Sequence, residues 1–414
     1  MTSVVGDVAA PTLTTVRPGP VLLAGVQDGR SLAAHRTRVG ATPAVSLDAL
    51  LAAARAVDLR GRGGAAFPFA TKLAAASRRR ALVVINAAEG EPASFKDSTL
   101  MTRSPHLVLD GAAVVAAALR TREIHLVVPG ERPWVGLAAR AAVAERAATG
   151  EKLKWQVHDA APRFVAGQAR AVLELLGGRE NLPVTAWQPE AISGHRGRPT
   201  LLSNAETFAQ VAALARLGTA TYARPGIGGE RGTTLLTVSG DGLAPLVLEV
   251  PYGTPLTDVL PDDTLGRPVL VGGYHGAWVG QQDVAALTVS RAAMAAIGAR
   301  LGAGVVLPLA VGLCPLRRTS HIVTYLAEQT AGRCGPCRNG LPALAAEVSA
   351  LVAGTGDVHR VEQLVGIVTK RGACAHPDGT AALVASALRR FPAEVHAHEQ
   401  GLCEFGRVAT RVRP

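Results

Sequence analysis

Residues 81–92 read Ala-Leu-Val-Val-Ile-Asn-Ala-Ala-Glu-Gly-Glu-Pro. The first five side chains are apolar, and such a short continuous run is typical of a strand buried on both faces of a sheet. Similar runs alternate with helical patterns: strands are expected at 124–128 and 155–158, and helices at 47–57, 106–119, 135–148 and 167–176. This alternation predicts an α/β fold with a mainly parallel sheet.

Polar side chains directly follow this first strand. Asn86, Glu89 and Glu91 fall beyond its carboxyl end, which is where ligands bind in parallel α/β sheets. They are suitable hydrogen-bond partners for a flavin ring or for the carboxamide of a nicotinamide. The alternative is a polar turn that caps a helix. The same two interpretations apply to residues 203–207, Ser-Asn-Ala-Glu-Thr, whose first or second residue is suited to be a helix cap.

A glycine-rich loop precedes the strand. Residues 60–68 read Arg-Gly-Arg-Gly-Gly-Ala-Ala-Phe-Pro, and Lys72 follows shortly after. Glycines let a ligand approach the backbone, and their amides form a nest for phosphate, to which Arg62 and Lys72 add positive charge. The alternative is a tight loop that binds nothing.

The character of the sequence changes along the chain and predicts four parts. Residues 1–40 have no sustained period and are predicted to form an irregular N-terminal arm. We expect an α/β domain at 41–224, a small α+β module at 225–300 and a helical domain, a small bundle, at 301–414.

Composition favours a globular protein, since 48% of the residues are hydrophobic and 18% are charged. No apolar run is long enough to span a membrane and no secretory signal is expected, so we predict a cytoplasmic protein. The net charge is +11, but the basic residues are scattered and only 4% of residues are aromatic. Nucleic acid is therefore not an expected partner. The charge is better suited to acidic redox partners or to nucleotides.

Five cysteines are too few for a disulfide framework. Cys334 and Cys337, separated by Gly-Pro, indicate metal or redox chemistry. Cys314 and Cys403 lie outside this motif and are expected to be buried packing residues.

Four ordered motifs together resemble those of the NADH- and FMN-binding subunit of respiratory complex I. They are 59–68, 86–97 with Pro105-His106 after it, 199–207, and 334–340 with Cys374. The resemblance covers most of the chain and extends to flavoprotein subunits of soluble NAD-linked dehydrogenases and hydrogenases. It implies an FMN-binding parallel-sheet domain, an SLBB-type ubiquitin-like α+β domain and a C-terminal helical bundle with a [4Fe-4S] cluster.

The resemblance also implies the site residues. Glu91 is expected to contact the nicotinamide carboxamide, and Phe67 to stack on the adenine. The predicted cofactor-binding residues are Gly61, Arg62, Gly63, Gly64, Phe67, Lys72, Asn86, Glu89, Glu91, Gln168, Ser203 and Asn204, and the predicted metal ligands are Cys334, Cys337 and Cys374.

The chain departs from the family pattern in two places. Ala331 stands where the first cluster cysteine belongs. The three remaining thiols leave open a cluster with an outside ligand, a three-iron cluster, an empty site, or zinc shared with His376. The family's Gly-Glu-Glu-Thr motif corresponds to residues 167–170, Gly-Gln-Ala-Arg, and an acidic residue is replaced by Ala88.

These observations predict an enzyme subunit that passes hydride from NAD(P)H to FMN and then delivers electrons to an iron-sulfur centre or a partner protein. The expected partner is a ferredoxin-like or other iron-sulfur subunit, and any membrane association is expected only through a complex. The alternative is an electron carrier or scaffold that keeps the fold without oxidising a nicotinamide.

Overall fold

The computed structural model of the chain describes residues 14–78 and 80–405. The strands are β1 (Thr15–Val16), β2 (Leu82–Asn86), β3 (Glu123–Pro129), β4 (Lys154–Ala160), β5 (Thr200–Asn204), β6 (Gly226–Ile227), β7 (Glu230–Arg231), β8 (Thr233–Gly240), β9 (Leu243–Pro251), β10 (Val269–Val271), β11 (Ala277–Val279) and β12 (Val305–Pro308). The helices are α1 (Leu32–Val39), α2 (Leu47–Ala56), α3 (Phe69–Ala76), α4 (Lys96–Arg103), α5 (Pro105–Ala118), α6 (Pro133–Ala148), α7 (Ala169–Leu176), α8 (Ala205–Tyr222), α9 (Gln281–Val284), α10 (Arg291–Ala296), α11 (Pro315–Glu328), α12 (Leu341–Val352), α13 (Val358–Val368), α14 (His376–Arg390) and α15 (Pro392–Glu399).

Strands β4, β3, β2 and β5 form, in this order, a sheet in which every neighbouring pair is parallel. The predicted α/β fold with a parallel sheet is therefore confirmed. In β2, Val83 and Ile85 belong to one apolar core, whereas Leu82 and Val84 belong to a second core on the other face. Burial on both faces explains why this strand is a continuous apolar run.

The order of the parallel sheet reverses between β2 and β5. From β2 the chain adds β3 and β4 on one side, and it then returns to place β5 on the other side of β2. Asn86 and Asn204 end these two strands and lie opposite each other in the register. Such a reversal point opens a crevice at the carboxyl ends of the strands, and α/β proteins bind ligands there.

A second, mixed sheet has the order β1, β9, β8, β12, β10, β11. Strand β1 pairs in parallel with β9, so Thr15 lies opposite Leu246. The prediction of an irregular arm over 1–40 is therefore wrong for the described part, which also contains α1, capped by Ser31. A two-residue strand carries no period of its own and is fixed by a partner far along the chain. Residues 1–13 of the predicted arm lie outside the described residues.

Helices α11 to α15 pack around a separate apolar core that includes Leu326, Leu344 and Val384. Trp278 of β11 is buried against these helices, and its Nε1 donates to Thr319 Oγ1 at 2.8 Å. This contact joins the second sheet to the C-terminal helices. Across the described part of the chain, none of the helices has the length and apolar character that crossing a membrane requires.

Candidate functional site

The glycine-rich loop is a closed turn between α2 and α3. Arg60 and Pro68 form an antiparallel bridge, and the amide of Gly61 donates to the carbonyl of Phe67 at 2.9 Å. Gly64 has a φ of 98°, a conformation that favours glycine. Among the described residues, the amides of Gly63 and Gly64 have no hydrogen-bond partner. Two successive free amides in such a turn form an anion-binding nest.

A cavity of about 370 Å³ opens between this loop and the second sheet. It has the size of a small-molecule site. The loop contributes Gly61, Arg62 and Gly64, and the opposite wall includes Tyr252, Arg300 and Gly302. Four basic residues line the cavity and face a single acidic one: Arg62, Lys96, Arg291 and Arg300, against Glu206. The cavity is therefore suited to an anionic ligand.

Arg62 is the most deeply placed cation of the glycine loop. The residue is 7% exposed, and its amide donates to Thr207 Oγ1 at 2.9 Å, which fixes the loop against α8. Its Nη2 donates to the Thr233 carbonyl at 3.1 Å, but its buried Nε has no hydrogen-bond partner and lies 3.8 Å from Glu206 Oε1. A buried donor without a partner is costly, and a bound anion would satisfy it.

Lys96 connects the cavity to the crevice at the strand ends. Its ammonium lies 2.9 Å from Asp97 Oδ1, 3.1 Å from Glu206 Oε2 and 3.0 Å from Asn204 Oδ1. Burial lowers the pKa of Lys96, but Asp97 and Glu206 outweigh it and hold the pKa above its usual value. Lys96 is thus a fixed positive charge, and sequence analysis missed it because the motif around it was assigned through its acidic residues.

The two strand-end asparagines hold neighbouring loops in place. Asn86 Nδ2 donates to the carbonyl of Gly167 at 2.7 Å. Asn204 is the N-cap of α8, since its Oδ1 accepts from the amide of Glu206 at 3.0 Å. Ser203 precedes it within β5 and is almost completely buried. A Cβ built on Gly63 would lie 3.4 Å from Asn204 Cβ, so the glycine loop rests directly on this strand end.

Glu89 is used entirely by neighbouring protein groups. Its Oε1 accepts from Ser94 Oγ at 2.8 Å and from the Asp97 amide at 2.9 Å. Its Oε2 accepts from the amide and hydroxyl of Ser98 and from Arg132 Nη1 at 2.9 Å. The predicted placement of Glu89 against a cofactor is not supported by this geometry, because no acceptor site on the carboxylate remains open.

Glu91 lies between the parallel sheet and the loop after β10. Its Oε2 accepts from the Tyr274 amide at 2.8 Å, and its Oε1 accepts from the Ala93 amide at 3.3 Å. Burial raises the pKa of Glu91 to about 7. The structure places this residue at a contact between the two sheets, close to neutral pH in its titration.

Lys72 and Phe67 lie together at the mouth of the glycine loop. The Lys72 ammonium is 5.9 Å from the centre of the Phe67 ring and 2.9 Å from Glu190 Oε1. Burial opposes ionisation of Glu190, but Lys72 holds its pKa below the usual value. Phe67 and Trp187 are exposed, at 49% and 98%. Two exposed aromatic rings are suited to stacking on a base; the sequence analysis did not identify Trp187 or Glu190, which lie outside the recognised motifs.

The loop after β4 connects the strand-end crevice with the cysteine motif. Gly167 receives the Asn86 hydrogen bond, and the next residue, Gln168, hydrogen-bonds the thiol of Cys374. Burial raises the pKa of Cys374, and the Gln168 hydrogen bond opposes this rise. Arg170 points elsewhere, with its guanidinium donating to the carbonyls of Gln188 and Ser193.

The three predicted metal ligands lie in one region of the structure. The sulfurs of Cys334 and Cys337 are 3.3 Å apart, and the charges of Cys334 and Cys374 act on Cys337, whose pKa is raised first by burial. Ala331 is buried beside Val165 and Leu182, so an apolar contact occupies the fourth position. These thiols fit an iron-sulfur group that takes three protein thiolates, and they do not supply four.

The zinc alternative requires closer packing of Cys334, Cys337, Cys374 and His376. Zinc bonds of about 2.0–2.3 Å bring tetrahedral ligands within roughly 4 Å of one another. Among the described residues, the one set of three or more such side chains with ligand atoms within 4.8 Å lies elsewhere, at Cys314, Glu394, His398 and Cys403. The zinc alternative at the cysteine motif is therefore not supported, and the expectation that Cys314 and Cys403 are separate packing residues is wrong.

Known proteins that match this chain define a class of flavoprotein with an iron-sulfur region. Residues 54–213 match the family model of the Nuo51 FMN-binding domain. Residues 317–398 match that of the NADH-ubiquinone oxidoreductase-F iron-sulfur binding region. The two matches contain the glycine loop, both strand-end asparagines and all three cysteines of the motif.

Individual relatives match over most of their length. The second F-type polypeptide of the NADH-quinone oxidoreductase of Rhizobium meliloti is 28% identical over 420 residues, which cover 93% of this chain and 99% of the relative. The F-type polypeptide of the Mycobacterium tuberculosis enzyme is 30% identical over 376 residues, 84% of each chain. The solved NAD+-reducing [NiFe]-hydrogenase in its H2-reduced state has a TM-score of 0.80 and 26% identity, over 93% of this chain and 67% of that one. The chain belongs to the family of F-type polypeptides of NADH-quinone oxidoreductase.

Proposed function

We propose that this chain is an FMN-dependent electron-transfer subunit that oxidises a reduced nicotinamide nucleotide and delivers electrons through an iron-sulfur centre. The observation that carries the proposal is the joining of three features at one place. The glycine nest, the cationic cavity and the strand-order reversal meet around Lys96 and Asn204. Family membership supports the same chemistry.

The residues fit FMN in its charged and polar parts. The free amides of Gly63 and Gly64 and the unpartnered Nε of Arg62 suit a terminal phosphate. Asn86 and Asn204 supply amide groups at the crevice. FMN, when bound, supplies the conversion between two-electron and one-electron transfer. Phe67 and Trp187 are suited to hold the adenine of the dinucleotide by stacking.

An electron acceptor fits beside the loop at 164–168. Gln168 contacts Cys374, which supports an iron-sulfur group next to the strand-end crevice. Three protein thiolates suit a group with one ligand from outside the chain, or a three-iron group. The next acceptor is a partner protein, a ferredoxin-like or other iron-sulfur subunit. We assign the α/β domain to 41–224, an SLBB-type ubiquitin-like domain to 225–300 and the helical iron-sulfur domain to 301–414.

The experiment is a reduction assay on anaerobically purified, flavin-reconstituted protein. We expect the released chromophore to have the mass of FMN, and NADH or NADPH to bleach its absorbance as dithionite does. Finding FAD, or no flavin after incubation with excess FMN, overturns the cofactor assignment. Arg62→Met should weaken FMN binding, and the exposed Arg360→Met serves as its control.

One alternative has specific support in the altered positions. Ala331 and Ala169 replace functional groups of the family motifs, which favours a scaffold or electron carrier that does not oxidise nicotinamides. The two functions differ in one result: in the alternative, dithionite bleaches the flavin but neither nicotinamide nucleotide does.

A further inference from the structure

A buried cluster of four potential metal ligands lies in the C-terminal helices, in addition to the motif cysteines. Cys314 is the N-cap residue of α11, Glu394 and His398 are one turn apart on α15, and Cys403 follows that helix. Their ligand atoms all lie within 4.8 Å of one another. Cys314, Glu394 and His398 are at most 3% exposed, and Cys403 is partly buried.

The distances in this cluster match those around a single metal ion. Glu394 Oε1 is 3.1 Å from Cys314 Sγ, 3.0 Å from Cys403 Sγ and 3.2 Å from His398 Nε2. Cys314 Sγ is 3.3 Å from His398 Nε2. Zinc bonds of about 2.0–2.3 Å imply tetrahedral ligand separations of roughly 3.3–3.8 Å, so only a small expansion is needed to admit the ion.

The hydrogen bonds around the cluster orient its members toward a common centre. His398 Nδ1 lies 2.8 Å from the Val352 carbonyl, which only accepts, so Nδ1 carries the hydrogen. In a neutral ring, Nε2 then presents a lone pair to Glu394 Oε1, which is also an acceptor. A cation between the two atoms removes this repulsion. Glu394 Oε2 is fixed separately by the Glu404 amide at 3.0 Å. Such outer hydrogen bonds are typical of metal-binding histidines and carboxylates.

We propose that Cys314, Glu394, His398 and Cys403 bind one Zn²⁺ ion as a structural site. Two thiolates, one imidazole and one carboxylate in tetrahedral spacing suit zinc better than magnesium or calcium, which prefer all-oxygen sites. Four protein ligands leave no open position, so the ion has no catalytic role. It ties the start of α11 to α15 and to the segment around Cys403.

The proposal is tested by metal analysis of the full chain, purified anaerobically from zinc-supplemented cells. We expect about one zinc per chain and, in Cys314→Ser/Cys403→Ser, less than a tenth of that amount. Cys374→Ser is the matched control: it alters a thiol of the other motif and should keep its zinc while losing iron. No zinc in the parent, zinc retained in the double variant, or zinc lost from Cys374→Ser each overturns the assignment. None of these results depends on flavin binding or on nicotinamide oxidation.

A second measurement on the parent protein avoids any folding defect of the variants. Replacing zinc with Co²⁺ should produce thiolate-to-cobalt charge-transfer bands and the ligand-field bands of a tetrahedral site. Glu394→Gln, which preserves side-chain shape, should lose zinc to a chelator at least tenfold faster than the parent. Absence of the thiolate-cobalt bands, or equal rates of zinc loss, contradicts the proposal.

Discussion

Gln168 hydrogen-bonds the thiol of Cys374 across the boundary between the α/β domain and the C-terminal helices. Gln168 also begins α7, directly after the glycine whose carbonyl holds Asn86. A strand-end amide at the flavin crevice and a metal-ligand thiol are therefore connected through one short loop. Such a short connection fits a protein that moves electrons from one site to the other.

This contact predicts the redox behaviour of a Gln168→Leu variant. A hydrogen bond to a thiolate stabilises the reduced, more negative cluster, so its loss should lower the midpoint potential. A bond worth about 0.5–1.5 kcal/mol corresponds to roughly 20–60 mV for one electron. Redox titration monitored by electron paramagnetic resonance measures the change. The exposed Gln282→Leu is the control, and an unchanged potential in Gln168→Leu would rule out the contact as a tuning element.

Glu89 is predicted to support folding and not to bind the cofactor. Replacing Glu89 with Gln leaves Arg132 buried without its counter-charge, which costs about 3–5 kcal/mol for a buried pair. We expect a correspondingly lower free energy of unfolding, measured by urea denaturation, with FMN affinity of the folded protein unchanged. Arg62→Met should show the reverse pattern. A Glu89→Gln variant with normal stability and weak FMN binding contradicts this assignment.

The contrast between Glu89 and Lys96 shows how far sequence patterns reached. The period of the apolar runs predicted the parallel sheet, and the polar groups after 81–85 predicted where the crevice would lie. The pattern could not assign separate roles to side chains of one motif, because those roles depend on distant partners. Arg132 takes up Glu89, whereas Glu206 and Asn204 direct Lys96 to the cavity.

Long-range pairing likewise explains what the sequence did not predict elsewhere. The β1 strand has two residues and exists only because β9 pairs with it. Cys314 and Cys403 are 89 positions apart in numbering, and the signal that connects them is the one-turn spacing of Glu394 and His398 on a predicted helix. That spacing gains meaning only when the fold brings Cys314 beside it.

Glu91 should make stability depend on pH near neutrality. Burial raises its pKa from 4.5 to about 7, so folding favours the neutral acid. Its contribution is full below about pH 4.5 and is lost as the pH rises through 7, on the order of 3 kcal/mol in total. We expect Glu91→Gln to flatten the fall in unfolding free energy between pH 5 and 8, measured by urea denaturation at each pH. The exposed Glu328→Gln should leave that fall unchanged; a parent protein equally stable at both pH values argues against the shift.

The last prediction concerns the choice between NADH and NADPH. Residues 168–169 are Gln-Ala, where the family motif has two glutamates. A carboxylate near the adenosine ribose would repel the 2′-phosphate that distinguishes NADPH. Two unit charges about 4 Å apart repel by roughly 1 kcal/mol in water and about 4 kcal/mol at an effective dielectric of about 20. Without these carboxylates, discrimination against NADPH should fall by about tenfold or more, since about 1.4 kcal/mol corresponds to one decade.

We therefore expect kcat/KM for NADPH to be at least comparable to that for NADH, measured with an artificial electron acceptor. Arg170 already donates to the carbonyls of Gln188 and Ser193, so the expected change comes from lost repulsion and requires no new ion pair. Ala169→Glu should restore a preference for NADH by about tenfold or more. The neutral Ala169→Gln, of nearly equal size, separates charge from bulk. A parent preference for NADH above about a thousandfold exceeds the repulsion removed here and would contradict the prediction.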